Sequence, residues 1–128
     1  QKYYEPLGAL NLGVSGDETQ HVLWRLRHGE LPAALKPQSI MVAIGTNNLG
    51  NGRSPQDTVE GIKAIVNFLL EVRPDALIRL MALFPRAEVY KGSDNTPWPA
   101  VDEVNQGVHR VLEADWGGNV RFIDCNEK

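Results

Sequence analysis

The chain has 128 residues, 42% of them hydrophobic and 23% charged, which fits one globular domain with a core of ordinary size. Its formal charge of −3 comes from acidic and basic residues mixed along the chain, with no basic patch of the kind nucleic-acid binding needs. No apolar run is long enough for a membrane span, and a single cysteine, Cys125, excludes an internal disulfide. One thiol fits a reducing compartment, which favours the cytoplasm.

Residues 1–8 read as a surface lead-in broken by Pro6 and Gly8. Ala9–Val14 is a short strand by pattern, followed by a turn at Ser15-Gly16-Asp17. Asp17 with Gln20 resembles a capping box, so a helix is expected from there, with Val22, Leu23 and Leu26 as its apolar stripe. Gly29 should end it, with Pro32 and Pro37 preventing resumption.

Ser39–Gly45 reads as the second strand, a buried parallel one, apolar on both alternating faces and closing on Gly45-Thr46-Asn47-Asn48. Asn47–Arg53 reads as a loop. Ser54-Pro55 gives a capping hydroxyl and a first-turn proline, and Val59, Ile62, Val66 and Leu69 follow at helical steps up to Arg73-Pro74. Leu77–Phe84 is a further strand, and 86–96 a polar loop. A helix starting at Pro97 or Pro99 runs to Ala114 with Val101, Val104, Val108 and Leu112 inward. Gly117-Gly118 turns the chain into a last strand, Val120–Asp124. This β-α-β-α-β-α-β order predicts a parallel sheet with helices on both faces.

Ligands of such sheets bind beyond the carboxyl ends of the strands. The residues expected there are Gly13-Val14-Ser15-Gly16-Asp17, Gly45-Thr46-Asn47-Asn48, Pro85-Arg86 and Cys125-Asn126. Gly16 offers a backbone N–H that a ligand can approach closely, and Asn47 a carboxamide NH₂. Two such neutral donors aimed at one point would stabilise an oxyanion. Gly-x-x-Gly before a helix also makes plain tight turns, and asparagine after a strand is a common turn residue, so spacing alone leaves both readings open.

Ser15, Asp17 and His21 lie near each other, but nothing in their spacing orients a base toward a hydroxyl as a triad requires. His28 and His109 read as surface residues. Trp24 reads as packing under the sheet edge, Arg86 as a pocket or surface cation, and Asn105 as facing a loop backbone. Three scattered histidines and one cysteine give no metal-ligand spacing, so neither metal nor cofactor is expected. A nucleotide-binding module using Gly13-x-x-Gly16 lacks both the full glycine pattern and an acidic residue for a ribose.

The run Asn11–Leu26, with Gly29-Glu30-Leu31, Gly45-Thr46-Asn47-Asn48, Leu83-Phe84-Pro85-Arg86 and Val104-Asn105, resembles the SGNH (GDSL-type) hydrolases over nearly the whole chain. The subgroup most similar is the catalytic α subunits of intracellular platelet-activating-factor acetylhydrolase, with related bacterial and algal esterases. The resemblance implies a three-layer α/β/α, flavodoxin-like fold and a serine esterase acting on a small ester with a short acyl group such as acetyl. It also implies that Gly16 and Asn47 are the oxyanion-hole donors. The family's Gly-Asp-Ser nucleophile block and its Asp-x-x-His block do not occur in these 128 residues.

The chain therefore reads as one SGNH-like domain, 1–128, cut at both ends, with its first strand and C-terminal part lying outside it. The slot of that strand is expected to leave the 128 residues unstable alone. The alternative is a catalytically inactive SGNH-fold subunit of a larger assembly. The subgroup implies a homodimer or a larger complex, with a WD-repeat partner in animals.

Overall fold

The structure is a computed structural model and describes residues 4–87 and 98–126. Three parallel strands, β1 (Ser39–Val42), β2 (Leu77–Met81) and β3 (Val120–Ile123), form one sheet in the order β1-β2-β3. Ser39 pairs with Leu77, and Ile78 with Val120. Four α-helices accompany them among the described residues: α1 (Thr19–Arg25), α2 (Thr46–Gly50), α3 (Pro55–Val72) and α4 (Pro99–Asp115). Parallel pairing of the strands and the crossover helices α3 and α4 are as the sequence pattern predicts, while the described sheet has three strands where four are expected.

The core forms where α3 and α4 lie on the sheet. Ile62, Ile65, Val66 and Leu69 of α3 and Val101, Val104 and Val108 of α4 meet Ile78, Leu80 and Val120. Helix α3 starts where Ser54 Oγ accepts the Asp57 N–H at 3.0 Å. That bond satisfies one of the four donors a helix start leaves free. Helix α1 packs on α3, as α4 does, so these three helices share one face of the sheet. On the other face Met41, Arg79 and Arg121 stand side by side in register, and Met41 is 62% exposed. Strand β1, which lies at the edge of the described sheet, is thus buried on one face, not on both, because no described element covers the second.

Several boundaries differ from the sequence reading. Residues 9–14 form no strand and are exposed throughout. The alternating pattern is there, but among the described residues no strand lies beside it to take its N–H and C=O groups. Ser39–Val42 and Leu77–Met81 stop three residues short of the expected ends, and the chain runs on as irregular backbone to Gly45 and Phe84. Asn47–Arg53 is mostly not a loop: Thr46–Gly50 coils into α2 directly from Gly45. Gly45 makes that turn with φ 122°, a conformation side chains resist. After α1 the chain loosens over Leu26–Glu30 and turns at Gly29, φ 98°, where the sequence predicts the end. Most of the expected 86–96 loop, and the Pro97 start, lie outside the described residues.

Candidate active site

The turn before α1 and the start of α2 come together at the carboxyl end of β1. Asp17 N–H donates to Val14 O at 3.3 Å, closing a tight turn in which Gly16 takes φ 86°. Nothing lies within 4 Å of the position a Gly16 Cβ would occupy, so this side of the turn is open. Asn47, the second residue of α2, donates from Nδ2 to Asp17 O at 2.9 Å. Its side chain therefore rests on the residue next to Gly16, across 30 positions of sequence. A carboxamide has two N–H donors, and Asp17 O occupies one. Among the described residues the Gly16 N–H donates to no protein acceptor.

The neighbouring residues bind the same two elements to each other. Asn48 is 3% exposed and makes a reciprocal pair with Thr19: Thr19 N–H donates to Asn48 Oδ1 at 3.0 Å, and Asn48 Nδ2 to Thr19 Oγ1 at 2.9 Å. Glu18, 7% exposed, accepts from Asn51 Nδ2 at 3.0 Å, from Gln20 Nε2 at 3.0 Å and from Arg53 Nε at 3.3 Å. Those donors hold its carboxyl below the usual value, the Gln20 and Asn51 amides first and the Arg53 guanidinium after them, against the opposing pull of burial. Sequence reasoning passed over Glu18 and Asn48. The signal for Asn48 was a second asparagine beside the first, and for Glu18 nothing local marked it.

The helix cap also differs from the expected one. Glu18, not Asp17, is the cap residue, and its N–H donates to His21 Nδ1 at 3.1 Å, so His21 replaces Gln20 as the partner. Asp17 is drawn away by Arg25, whose guanidinium also binds Glu30 and the Leu12 carbonyl. With His21 on the cap and Asp17 on Arg25, Ser15, Asp17 and His21 make no triad. Trp24 is not under the sheet edge. It is 61% exposed and stacks on His28 one turn later, with ring centroids 4.2 Å apart.

Arg86 reaches back to α2, its Nη1 donating to Thr46 Oγ1 at 2.9 Å and to Thr46 O at 3.2 Å. Asn105 does face loop backbone, taking the Leu83 N–H at 2.8 Å and returning Nδ2 to Leu83 O at 3.0 Å. Asn126 Nδ2 donates to that carbonyl too, at 3.0 Å, while Cys125 is exposed. His28 and His109 are exposed. Among the described residues no group of three His, Cys, Asp or Glu could hold a metal ion. No helix among them is long and apolar enough to cross a membrane. Two hollows, of about 250 and 390 Å³, lie away from this edge. One is beside Arg73 and Pro74, the other between α3 and α4.

The family model for GDSL-like lipases and acylhydrolases matches residues 1–128. The chain belongs to this family. Among its curated relatives, platelet-activating factor acetylhydrolase IB subunit alpha1 of Homo sapiens is 38% identical over 128 residues, covering 98% of this chain and 51% of that protein. Subunit alpha2 of Homo sapiens is 44% identical over 88 residues, covering 69% of this chain and 37% of that protein. The GDSL-type chain spans about half the length of the alpha1 relatives it matches.

Solved structures share the fold. The psychrotrophic esterase EstA from Pseudoalteromonas sp., inhibited by monoethylphosphonate, superposes with a TM-score of 0.69 at 16% identity, over 97% of this chain and 62% of that one. A candidate platelet activating factor structure from Streptococcus pneumonia superposes with a TM-score of 0.72 at 23% identity, over 96% and 60%. The parallel α/β sheet of this GDSL-type chain is thus the sheet of the family's hydrolases.

Proposed function

We infer that the protein of full family length carrying this segment is a carboxylic ester hydrolase for short acyl groups such as acetyl. Gly16 and Asn47 supply two of its oxyanion donors. The observation that carries this reading is the Asn47 Nδ2 bond to Asp17 O, which joins a carboxamide to the turn bearing the Gly16 amide, a donor with no protein acceptor among the described residues. Support for the ester comes from the family, and for acetyl from the acetylhydrolase names of the alpha1 and alpha2 relatives.

In this mechanism a serine attacks the ester carbonyl, a histidine takes its proton and returns it to the leaving alcohol, and water, deprotonated by the same histidine, then releases the acid from the acyl-serine. In this reading both groups belong to the part of the family's length that the 128 residues do not span. As the carbonyl oxygen gains charge, the Gly16 N–H and the second Asn47 N–H hold it in place. Donors already fixed need no reorganisation when the charge develops, which makes them stronger than water. The relatives are named as subunits, which supports a place for this protein in a homodimer or larger assembly.

The test is made on the full-length protein with a fluorophosphonate probe and p-nitrophenyl acetate. Covalent capture at one serine is expected. Asn47→Ala should lower kcat by about 100- to 1000-fold, the usual effect of removing one such donor. An unlabelled protein that hydrolyses no ester would instead be an inactive member of the fold. An active enzyme indifferent to Asn47→Ala would remove Asn47 from the reaction.

A further inference from the structure

The donors proposed above sit on two separate elements, and the turn bearing Gly16 has little of its own to hold it. Residues 9–16 are exposed; among the described residues one backbone bond, Asp17 to Val14, closes the turn, and Arg25 holds Asp17 and the Leu12 carbonyl from α1. What fixes the turn's far side is residue 18. Glu18 projects into α2 and its following turn, where Asn51 and Arg53 reach it from 33 and 35 positions away. Gln20 closes the ring from α1. Three donors thus converge on one carboxylate that is 7% exposed, on the side of α2 that carries Asn47.

We propose that Glu18 is a positioning residue of the esterase: its carboxylate latches the Gly16 turn to α2 and so sets the spacing between the two oxyanion donors. The inference rests on the ester-hydrolase reading and adds a residue to it. Glu18 touches no substrate. It acts through residues 16 and 17, whose main chain continues directly from its own. Without an acceptor there, the Asn51, Arg53 and Gln20 donors separate, and toward α2 the turn keeps the Asn47 and Asn48 bonds alone among the described residues. Misplacement by about 1 Å can cost on the order of 100-fold in rate.

The experiment compares Glu18→Leu, which keeps bulk and removes both acceptor oxygens, with Glu18→Gln, which restores one. In Glu18→Gln the new NH₂ can meet the oxygen of a flipped Asn51 amide. In the full-length enzyme, Glu18→Leu should lower kcat about 10- to 100-fold with KM within about twofold, and Glu18→Gln should recover most of the loss. Ser54→Ala removes the cap of α3 without touching the latch, and should lower stability while leaving kcat near wild type. Hydrogen exchange should quicken at residues 14–19 in Glu18→Leu and stay unchanged across α3.

Should Glu18→Leu fail to fold, Asn51→Leu removes one partner from the α2 side and is read in the same way. A Glu18→Leu enzyme with kcat within twofold of wild type, or with wild-type exchange at 14–19, would overturn the latch. If the wild-type protein takes no fluorophosphonate label, the ester-hydrolase reading fails. The exchange measurement alone then decides whether Glu18 holds the turn.

Discussion

Gly61→Ala sets two physical effects against each other at one position. Gly61 lies inside α3, and alanine favours a helix interior by about 1 kcal/mol over glycine. On that ground alone the substitution would stabilise. A Cβ at residue 61, however, would stand 2.2 Å from Thr19 Oγ1, 2.7 Å from Thr19 Cβ and 3.1 Å from Thr19 Cγ2. Thr19 Cβ is fixed to the backbone, so rotating the side chain cannot clear it, and the start of α1 must move. Overpacking of this kind costs about 1–3 kcal/mol. Displacing Thr19 also strains its two bonds to Asn48, each worth about 1 kcal/mol.

The net expectation is a loss of roughly 2–4 kcal/mol. In urea titrations of the full-length protein the midpoint should fall by about 1 M or more, given slopes of about 1–3 kcal/mol per M. Thr19→Ala removes the two contacts made by Oγ1 and Cγ2. The double variant should therefore lose less than the sum of the singles, by about 1 kcal/mol. A Gly61→Ala midpoint at or above wild type, or strict additivity in the cycle, would refute the close approach of α1 to α3.

Gly45→Ala should destabilise by about 2 kcal/mol or more, because φ 122° is hostile to a side chain and the new Cβ would meet Thr58 Cγ2 at 3.0 Å; thermal melts check it. Asn105→Ala leaves the Leu83 N–H without its partner and should cost about 1–3 kcal/mol in the same assay. Glu18 makes stability depend on acid. Its folded carboxyl sits below the ordinary value of 4.5, so its contribution is complete above that pH and is lost as the pH falls through the lower folded value. The stability gap between wild type and Glu18→Gln should therefore narrow below pH 4.5 in urea titrations repeated down the pH scale, and a constant gap would contradict the assignment.

What could be read from the sequence were the parts whose determinants are local. Helix α3 is announced by Ser54-Pro55 and by a stripe whose members Ile62, Val66 and Leu69 are all buried. Helix α4 follows from Val101, Val104 and Val108 in the same way, and the three strands from short apolar runs. Helix α2 could not be read, because Thr46-Asn47-Asn48-Leu49-Gly50 has poor helix formers and borrows its order from distant partners. The cap on α1 was misplaced by one residue because Arg25, eight positions on, draws off the Asp17 carboxylate. Trp24 misled for a related reason: the pattern marks it as apolar, but its helical neighbour His28 takes the contact expected of the core.

At the site itself, Gly16 and Asn47 were legible as residue types, and their arrangement was not, since it is built from bonds spanning 29 to 35 positions. Those bonds also decide which donor stays open. A helix start leaves N–H groups unsatisfied, and an edge with several free amides would bind water at all of them. Here Asp17 N–H goes to Val14, Glu18 N–H to His21 and Thr19 N–H to Asn48. Gly16, just before them, keeps an amide with no protein acceptor among the described residues. The Thr19–Asn48 contact does both jobs, tying the turn to α2 and occupying a competing donor, so a substitution at Asn48 would both move the Gly16 amide and open a rival beside it.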